Sequence, residues 1–125
     1  MQTLDRIIAT VIPADVLKSR RFRMAVLARL LREVGEEYGE AVQAGKVVNL
    51  AEYQDAFGFL QRAKALMETL PDQFLEKDRQ RLQALLQNLE EAIPGVMPPA
   101  SPLSSQTVRA HTVALVELLR RGPGK

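Results

Sequence analysis

The 125-residue chain contains no cysteine and only one histidine, His111. Without cysteine it can form no disulfide, no thiolate metal site and no cysteine nucleophile. One histidine, with no cysteine beside it, cannot complete a tetrahedral zinc site or supply both axial ligands of a haem within one chain. The redox compartment stays open, because a chain without thiols is compatible with any of them.

The chain also lacks the sequence patterns of common catalytic and membrane-spanning segments. Neither a G-x-x-x-x-G-K phosphate loop nor a G-x-S-x-G nucleophile elbow occurs. No apolar run approaches the roughly 18 residues that a membrane span needs. We therefore predict a protein that is not an enzyme, binds no cofactor and has no membrane span. As written the chain is expected to be cytoplasmic, or extracytoplasmic if a signal peptide has been removed.

Apolar residues recur at helical spacing along nearly the whole chain, and no stretch alternates long enough to found a sheet. The pattern predicts an all-α fold in a single domain over residues 1–125. The expected architecture is an up-and-down bundle of four main helices plus a short N-terminal helix. The predicted helices run over about 4–12, 15–45, 50–70, 73–93 and 106–121, with a proline-rich loop at 94–105.

The junction between the second and third predicted helices carries the strongest local signals. Gly45 is placed to end a helix in the left-handed conformation. Asn49 and Glu52 have the spacing of a capping box, which starts the next helix. Upstream, Gly35 and Gly39 would let another element approach closely, and we expect an aromatic side chain of the third helix there.

Carboxylates crowd the second predicted helix at Glu33, Glu36, Glu37 and Glu40. Spacings of three and four residues place Glu33, Glu37 and Glu40 on successive turns, where they could share a cation. His111 lies in an apolar row of the last helix and could add a ligand. These four residues, Glu33, Glu37, Glu40 and His111, are the candidate metal ligands. The alternative interpretations are a solvated acidic face and a packed histidine, and no Glu-x-x-His pair supports a di-iron centre.

Charge is strongly segregated along the sequence. Residues 1–32 carry a net charge of +5, residues 33–93 a net charge of −6, and residues 94–125 a net charge of +3. We expect this asymmetry to bring a basic helix beside an acidic one inside the bundle, and a polar partner surface is the alternative. The basic cluster at 18–23 has no helix-turn-helix or aromatic platform beside it, so we predict no nucleic-acid partner.

The segment EEYGEAVQAGKVVNLAEYQDAFGFL, within residues 27–71, resembles the extracytoplasmic helical domain of bacterial Ftr-type high-affinity iron permeases. The residues that carry the likeness include a Tyr-x-x-Ala-Val segment, a Gly-Lys-Val-Val-Asn turn and a following Glu-Tyr-Gln. They are Tyr38, Ala41, Val42, Gly45, Lys46, Val47, Val48, Asn49, Glu52, Tyr53, Gln54 and Phe59. The chain lacks the transmembrane segments of that family and any C-x-x-C-H haem attachment.

The resemblance implies a non-catalytic accessory or interaction domain linked to iron uptake, and it supplies no ligands. Two alternatives stay open from the residues themselves. One is a helical bundle that binds iron or a similar ion directly through the glutamates. The other is a cytoplasmic oligomeric scaffold. A protein partner or self-association is expected in either case, whereas any small-molecule ligand is left unspecified.

Overall fold

The computed structural model describes residues 14–70 and 76–120, with side chains from residue 19 onward. Within these residues the fold is all-α, as predicted, apart from one very short hairpin. Its elements are α1 (Ala14–Ala41), β1 (Val42–Gln43), β2 (Lys46–Val47), α2 (Leu50–Met67), α3 (Glu76–Ala92) and α4 (Ser105–Arg120). The short helix predicted near 4–12 lies outside the described residues.

Helix α1 makes the most extensive contacts in the bundle, because it packs against both α2 and α4. Helix α3 packs mainly against α4, and its contact with α2 is small. Neighbouring helices run in opposite directions, so that Arg23 near the start of α1 reaches the Thr69 carbonyl after the end of α2. The predicted up-and-down bundle of four main helices is therefore confirmed.

The core consists of the apolar stripes that the helical periodicity predicts. Its largest fully buried side chains include Tyr38 of α1 and Tyr53 of α2, whose ring centroids lie 6.1 Å apart. Phe57 of α2 is half-buried and packs against this core. Since each buried apolar side chain contributes on the order of 1.5–3 kcal/mol, these stripes supply the main stabilisation. Over the described residues no helix has both the length and the hydropathy that crossing a bilayer requires.

A two-residue hairpin, and not a glycine helix stop, joins α1 to α2. Helix α1 ends at Ala41, and β1 then pairs with β2 in antiparallel register, Val42 opposite Val47. Ala44 and Gly45 form the turn with φ values of 54° and 76°. Positive φ at both central positions is typical of the type I′ turn, which matches the twist of hairpin strands. The prediction that Gly45 ends a helix was therefore wrong, although its left-handed conformation was anticipated.

Half of the predicted capping box at the start of α2 is present. The Glu52 N–H donates to Asn49 Oδ1 at 3.1 Å, which satisfies one of the free donors of the first turn. The Asn49 N–H instead donates to the Ala41 carbonyl at 3.3 Å. The Glu52 side chain is consequently not required as its acceptor and is available to the neighbouring helix.

Gly35 marks the closest approach between α1 and α4. A Cβ added at Gly35 would lie 2.8 Å from Oγ1 of Thr112, whose hydroxyl donates to the Arg109 carbonyl at 2.9 Å. The close approach was predicted, but its partner is a threonine of α4 and not an aromatic residue of the next helix. A Cβ added at Gly39 would meet nothing within 4 Å, so this glycine plays no comparable part.

The proline-rich connection from α3 to α4 is held to the bundle by two hydrogen bonds. The Tyr38 hydroxyl donates to the Leu103 carbonyl at 2.6 Å, and Gln54 Nε2 donates to the Val96 carbonyl at 3.2 Å. Burial, with the neighbouring Tyr53 as a second cause, raises the pKa of Tyr38 to about 12, so this hydroxyl remains a donor at physiological pH. The loop is thus tied to the helices that carry the acidic residues.

Candidate functional site

Three carboxylates from two helices converge beside the α1–α2 contact. Glu37 of α1 meets Glu52 and Asp55 of α2, and one oxygen from each lies within 4.8 Å of the other two. Glu37 and Glu52 are half-buried, whereas Asp55 is exposed. We call these three residues the carboxylate cluster. Among the described residues, it is the group whose geometry could hold a metal ion.

The hairpin explains why Glu37 and Glu52 become neighbours. Glu37 stands seven residues before Ala44, and Glu52 stands seven residues after Gly45. Two antiparallel helices joined by a tight turn bring positions equidistant from that turn side by side. Asp55 follows Glu52 by three residues and so lies on the same face of α2, one turn further along.

The cluster is electrostatically crowded. Burial, followed by the charges of Glu40, Asp55 and Glu33, raises the pKa of Glu37, although its contact with the Glu52 side chain acts in the opposite direction. The pKa of Glu40 is also raised, first by its hydrogen bond with the Glu52 side chain and then by the Glu52 charge. Because the charges of Glu40, Asp55 and Glu33 make Glu37 harder to ionise, a bound cation or proton would relieve this repulsion.

One buried oxygen of the cluster has no hydrogen-bond partner among the described residues. Oε1 of Glu37 is buried and accepts no hydrogen bond from the residues that the structure describes. An unpaired buried carboxylate oxygen is costly, since it has lost water without gaining a donor. The atom that most needs a partner therefore belongs to the acid that α1 contributes to the cluster.

The donor set suits a hard or intermediate cation. Three carboxylate oxygens match the ligand preference of Mg²⁺, Ca²⁺ and Mn²⁺, and carboxylates also bind iron in helical bundles. The absence of nitrogen and sulfur from these three side chains disfavours softer metals. With metal–oxygen bonds of about 2.1 Å, ligand oxygens can stand at most about 4.2 Å apart. Because three oxygens cannot all lie opposite one another, some pairs must approach to about 3 Å. The three side chains, whose oxygens now lie within 4.8 Å of one another, would therefore have to close further around an ion.

The predicted ligand candidates fall in different places. Glu37 is in the carboxylate cluster, and Glu40 adjoins it through Glu52. Glu33 is near enough for its charge to act on Glu37 but lies outside the three-residue group. His111 is remote from it, because it lines a hollow of about 360 Å³ with Asn88 and Glu91 of α3 and part of the following loop.

Sequence reasoning missed Glu52 and Asp55. Glu52 was assigned to helix capping, and nothing about Asp55 in isolation marks it as a ligand. The signal that could have found both is the register across the turn, since Glu37 and Glu52 are equidistant from it. That inference needs the helices to be joined by a tight turn at Ala44 and Gly45, which periodicity alone did not reveal.

The expected pairing of a basic helix with an acidic one is not what the structure shows. Among the described residues, no arginine in the first half of α1 forms an ion pair. Arg23 donates only to the Thr69 carbonyl, at 3.5 Å. The ion pairs present join Lys64 to Glu90 across α2 and α3, or lie within α3 and α4. Arg21, Arg29 and Arg32 are exposed, and the half-buried Arg23 forms no ion pair with the described residues, so the expected pairing of the basic part of α1 with acidic residues is not found there.

The fold and the carboxylate cluster together define a class of protein: an antiparallel four-helix bundle with acidic residues gathered between its first two helices. The family described as the iron permease-associated 4-helix bundle domain matches residues 13–122. Because the match covers most of the chain, the protein belongs to this family, as the resemblance in the sequence implied. No curated protein and no solved structure is significantly similar to the chain.

Proposed function

We propose that this chain is a non-catalytic accessory domain of iron uptake that binds iron at the carboxylate cluster. Membership of the iron permease-associated family supports the link to iron uptake. The meeting of Glu37, Glu52 and Asp55 within 4.8 Å is the observation that carries the binding role. Iron is the cargo of this process, so the domain would receive and release it without changing it chemically.

The geometry suits reversible binding. Three protein oxygens leave several positions of a six-coordinate ion to water or to another ligand, so the ion can exchange. Glu40 stands beside Glu52 and is placed to add a fourth carboxylate as the cluster closes. The raised pKa of Glu37 also means that metal and proton compete for the same oxygens, so binding should weaken as the pH falls.

Calorimetric titration with Fe(II), Mn(II) and Zn(II) tests this proposal. We expect binding of Fe(II) and Mn(II) to the wild-type chain and loss of at least about tenfold in affinity in Glu37→Gln, since one of three charged ligands is removed. Glu36→Gln is the matched control, because it removes the same charge from an exposed position of the same helix. Melting temperatures with and without metal give an independent readout.

Two results would contradict the metal-binding role. One is the absence of both heat and a change in melting temperature with Fe(II) and Mn(II). The other is an equal loss of affinity in Glu36→Gln and Glu37→Gln, which would show that net charge and not the cluster attracts the ion. Either result would leave the family membership unchanged, and the proposed function would then be protein interaction without metal binding.

A protein contact is a second candidate function, and one surface favours it. Val96 and Met97 are 52% and 65% exposed, and Leu50 is 43% exposed. Gln54, one helical turn after Leu50, donates to the Val96 carbonyl, so the loop that carries Val96 and Met97 lies against the start of α2. We propose that a partner protein or a second copy of the chain covers this patch, since exposed apolar groups of this kind commonly mark interfaces.

Light scattering over a range of concentrations tests the self-association form of this proposal. A mass that rises towards a dimer, and that returns to a monomer in Met97→Ser, would support it. A strict monomer at high concentration would contradict self-association and with it the scaffold alternative. Recovery of an iron permease bound to the wild-type chain, and not to Met97→Ser, would instead support a contact with another protein.

A further inference from the structure

A long stretch in the first part of α1 carries only positive charges. From Val16 to Arg32 the chain has six basic residues and no acidic one. Phe22, Ala25, Arg29 and Arg32 follow spacings of three and four residues and share one side of the helix, where all four are exposed. With the adjacent exposed Arg21, we call this surface the basic face.

The charges of the basic face are not neutralised within the bundle. Neither Arg21, Arg29 nor Arg32 forms an ion pair or a hydrogen bond with the residues that the structure describes. Like charges held at this density repel one another, and the repulsion is relieved when an anionic surface approaches. The basic face is therefore complementary to a negatively charged partner.

Beside these charges lies an apolar side chain that the fold does not bury. Phe22 is 69% exposed, and among the described residues it is the one aromatic side chain turned so fully to solvent. An exposed phenylalanine between arginines is unfavourable in water but well suited to the boundary between lipid headgroups and acyl chains. A single ring cannot provide the successive stacking platforms that single-stranded nucleic acid uses.

A hollow at the edge of the basic face is also lined by both cationic and apolar side chains. It has a volume of about 450 Å³ and lies between α1 and the end of α4. Arg21, Arg32 and Arg120 line it together with the apolar side chains of Ala25 and Leu119. Guanidinium groups bind phosphate oxygens through paired hydrogen bonds, so this hollow can accept a phosphate above an apolar floor.

We propose that the basic face binds the surface of an anionic lipid bilayer, with its arginines on lipid phosphates and Phe22 inserted among the headgroups. The proposal does not depend on metal binding and goes beyond the proposed function. The basic face ends at Arg32, which stands five residues, or about 7.5 Å along the helix axis, before Glu37 of the carboxylate cluster.

Vesicle flotation with the full chain tests this proposal. We expect binding to phosphatidylcholine vesicles that contain phosphatidylglycerol, little binding to phosphatidylcholine alone, and release at high salt. Arg21→Gln/Arg29→Gln should lower the partition coefficient by about tenfold or more. Phe22→Ser should lower it by about threefold or more, because the charges remain while the inserted ring is lost.

The matched control is Lys77→Gln/Arg81→Gln, which removes two positive charges from exposed positions of α3. We expect it to retain binding within about threefold, since it leaves the basic face intact. All variants keep residues 1–13, so a loss in the arginine variant cannot come from that segment. Their melting temperatures are expected to match the wild type, because every substituted side chain is exposed.

Three outcomes would overturn the proposal. Equal binding to neutral and anionic vesicles would remove the role of charge. An equal loss in the α3 control would assign binding to net charge and not to the basic face. Tighter binding to duplex DNA or to polyglutamate than to the anionic vesicles would assign the basic face to a nucleic acid or to an acidic protein.

Discussion

Helix α1 makes two contacts of different physical character. Against α4 it uses shape, since Gly35 admits Thr112 at a distance that leaves no room for a methyl group. Against α2 it uses polar chemistry, since Tyr38 and Tyr53 pair in the core while Glu37 meets acidic residues at the edge. The first contact limits how closely α1 and α4 can pack, and the second brings like charges together. We therefore expect substitutions on the side of α1 that faces α4 to change stability, and substitutions on the side that faces α2 to change metal binding.

The largest effect should come from closing the space at the α1–α4 contact. Gly35→Ala places a methyl group 2.8 Å from the Thr112 hydroxyl, which is itself held by the Arg109 carbonyl. Overpacking costs about 1–3 kcal/mol, and the better helix propensity of alanine offsets up to about 1 kcal/mol. We expect a net loss of about 1–2 kcal/mol in the free energy of unfolding, measured by urea denaturation.

Gly58→Ala is the matched control for that substitution. It lies inside α2 with nothing within 4 Å of the added methyl group. We expect it to stabilise the protein by about 0.5–1 kcal/mol through propensity alone. Equal and stabilising effects of both substitutions would show that Thr112 moves aside freely and that the α1–α4 contact is not set by shape.

The two tyrosines of the α1–α2 contact should respond oppositely to loss of their hydroxyls. Tyr38→Phe removes the 2.6 Å hydrogen bond to the Leu103 carbonyl and should cost about 1 kcal/mol. Tyr53→Phe removes a buried hydroxyl that has no partner among the described residues, and should be neutral or stabilising by up to about 1 kcal/mol. Chemical denaturation of both variants compares them directly, and a greater loss in Tyr53→Phe would contradict this assignment.

A smaller, pH-dependent effect should appear at the carboxylate cluster without metal. Because the pKa of Glu37 is raised in the folded state, its ionisation opposes folding above that pKa. The penalty disappears as the pH falls through the folded pKa towards the ordinary value of 4.5. Glu37→Gln should therefore be more stable than the wild type by about 0.5 kcal/mol at neutral pH. Melting temperatures measured across this range should converge as the pH falls.

Much of the fold could be predicted because it depends on local patterns. The spacing of apolar residues located the main helices, and the residues around Asn49 located the start of α2. The close approach at Gly35 was predictable from the missing side chain, but its partner was not, because the choice between α2 and α4 depends on how α1 is rotated. That rotation is a property of the assembled bundle.

The carboxylate cluster was only partly predictable for the same reason. Glu37 and Glu40 were found from crowding on one helix, whereas Glu52 and Asp55 required the register between two helices. That register depends on the two-residue turn at Ala44, whose positive φ is uncommon for a residue with a side chain. The exposure of Arg21, Arg29 and Arg32 was missed because charge balance along a sequence does not report which helix faces meet.

Diffraction from crystals grown with Mn(II), recorded to show the anomalous signal of manganese, tests most directly whether the α1–α2 contact binds metal. We predict an anomalous peak between Glu37, Glu52 and Asp55, with their oxygens drawn to about 2.1 Å from the ion. A cluster without such a peak in crystals where Mn(II) is bound elsewhere, for example beside His111, would contradict the metal-binding role.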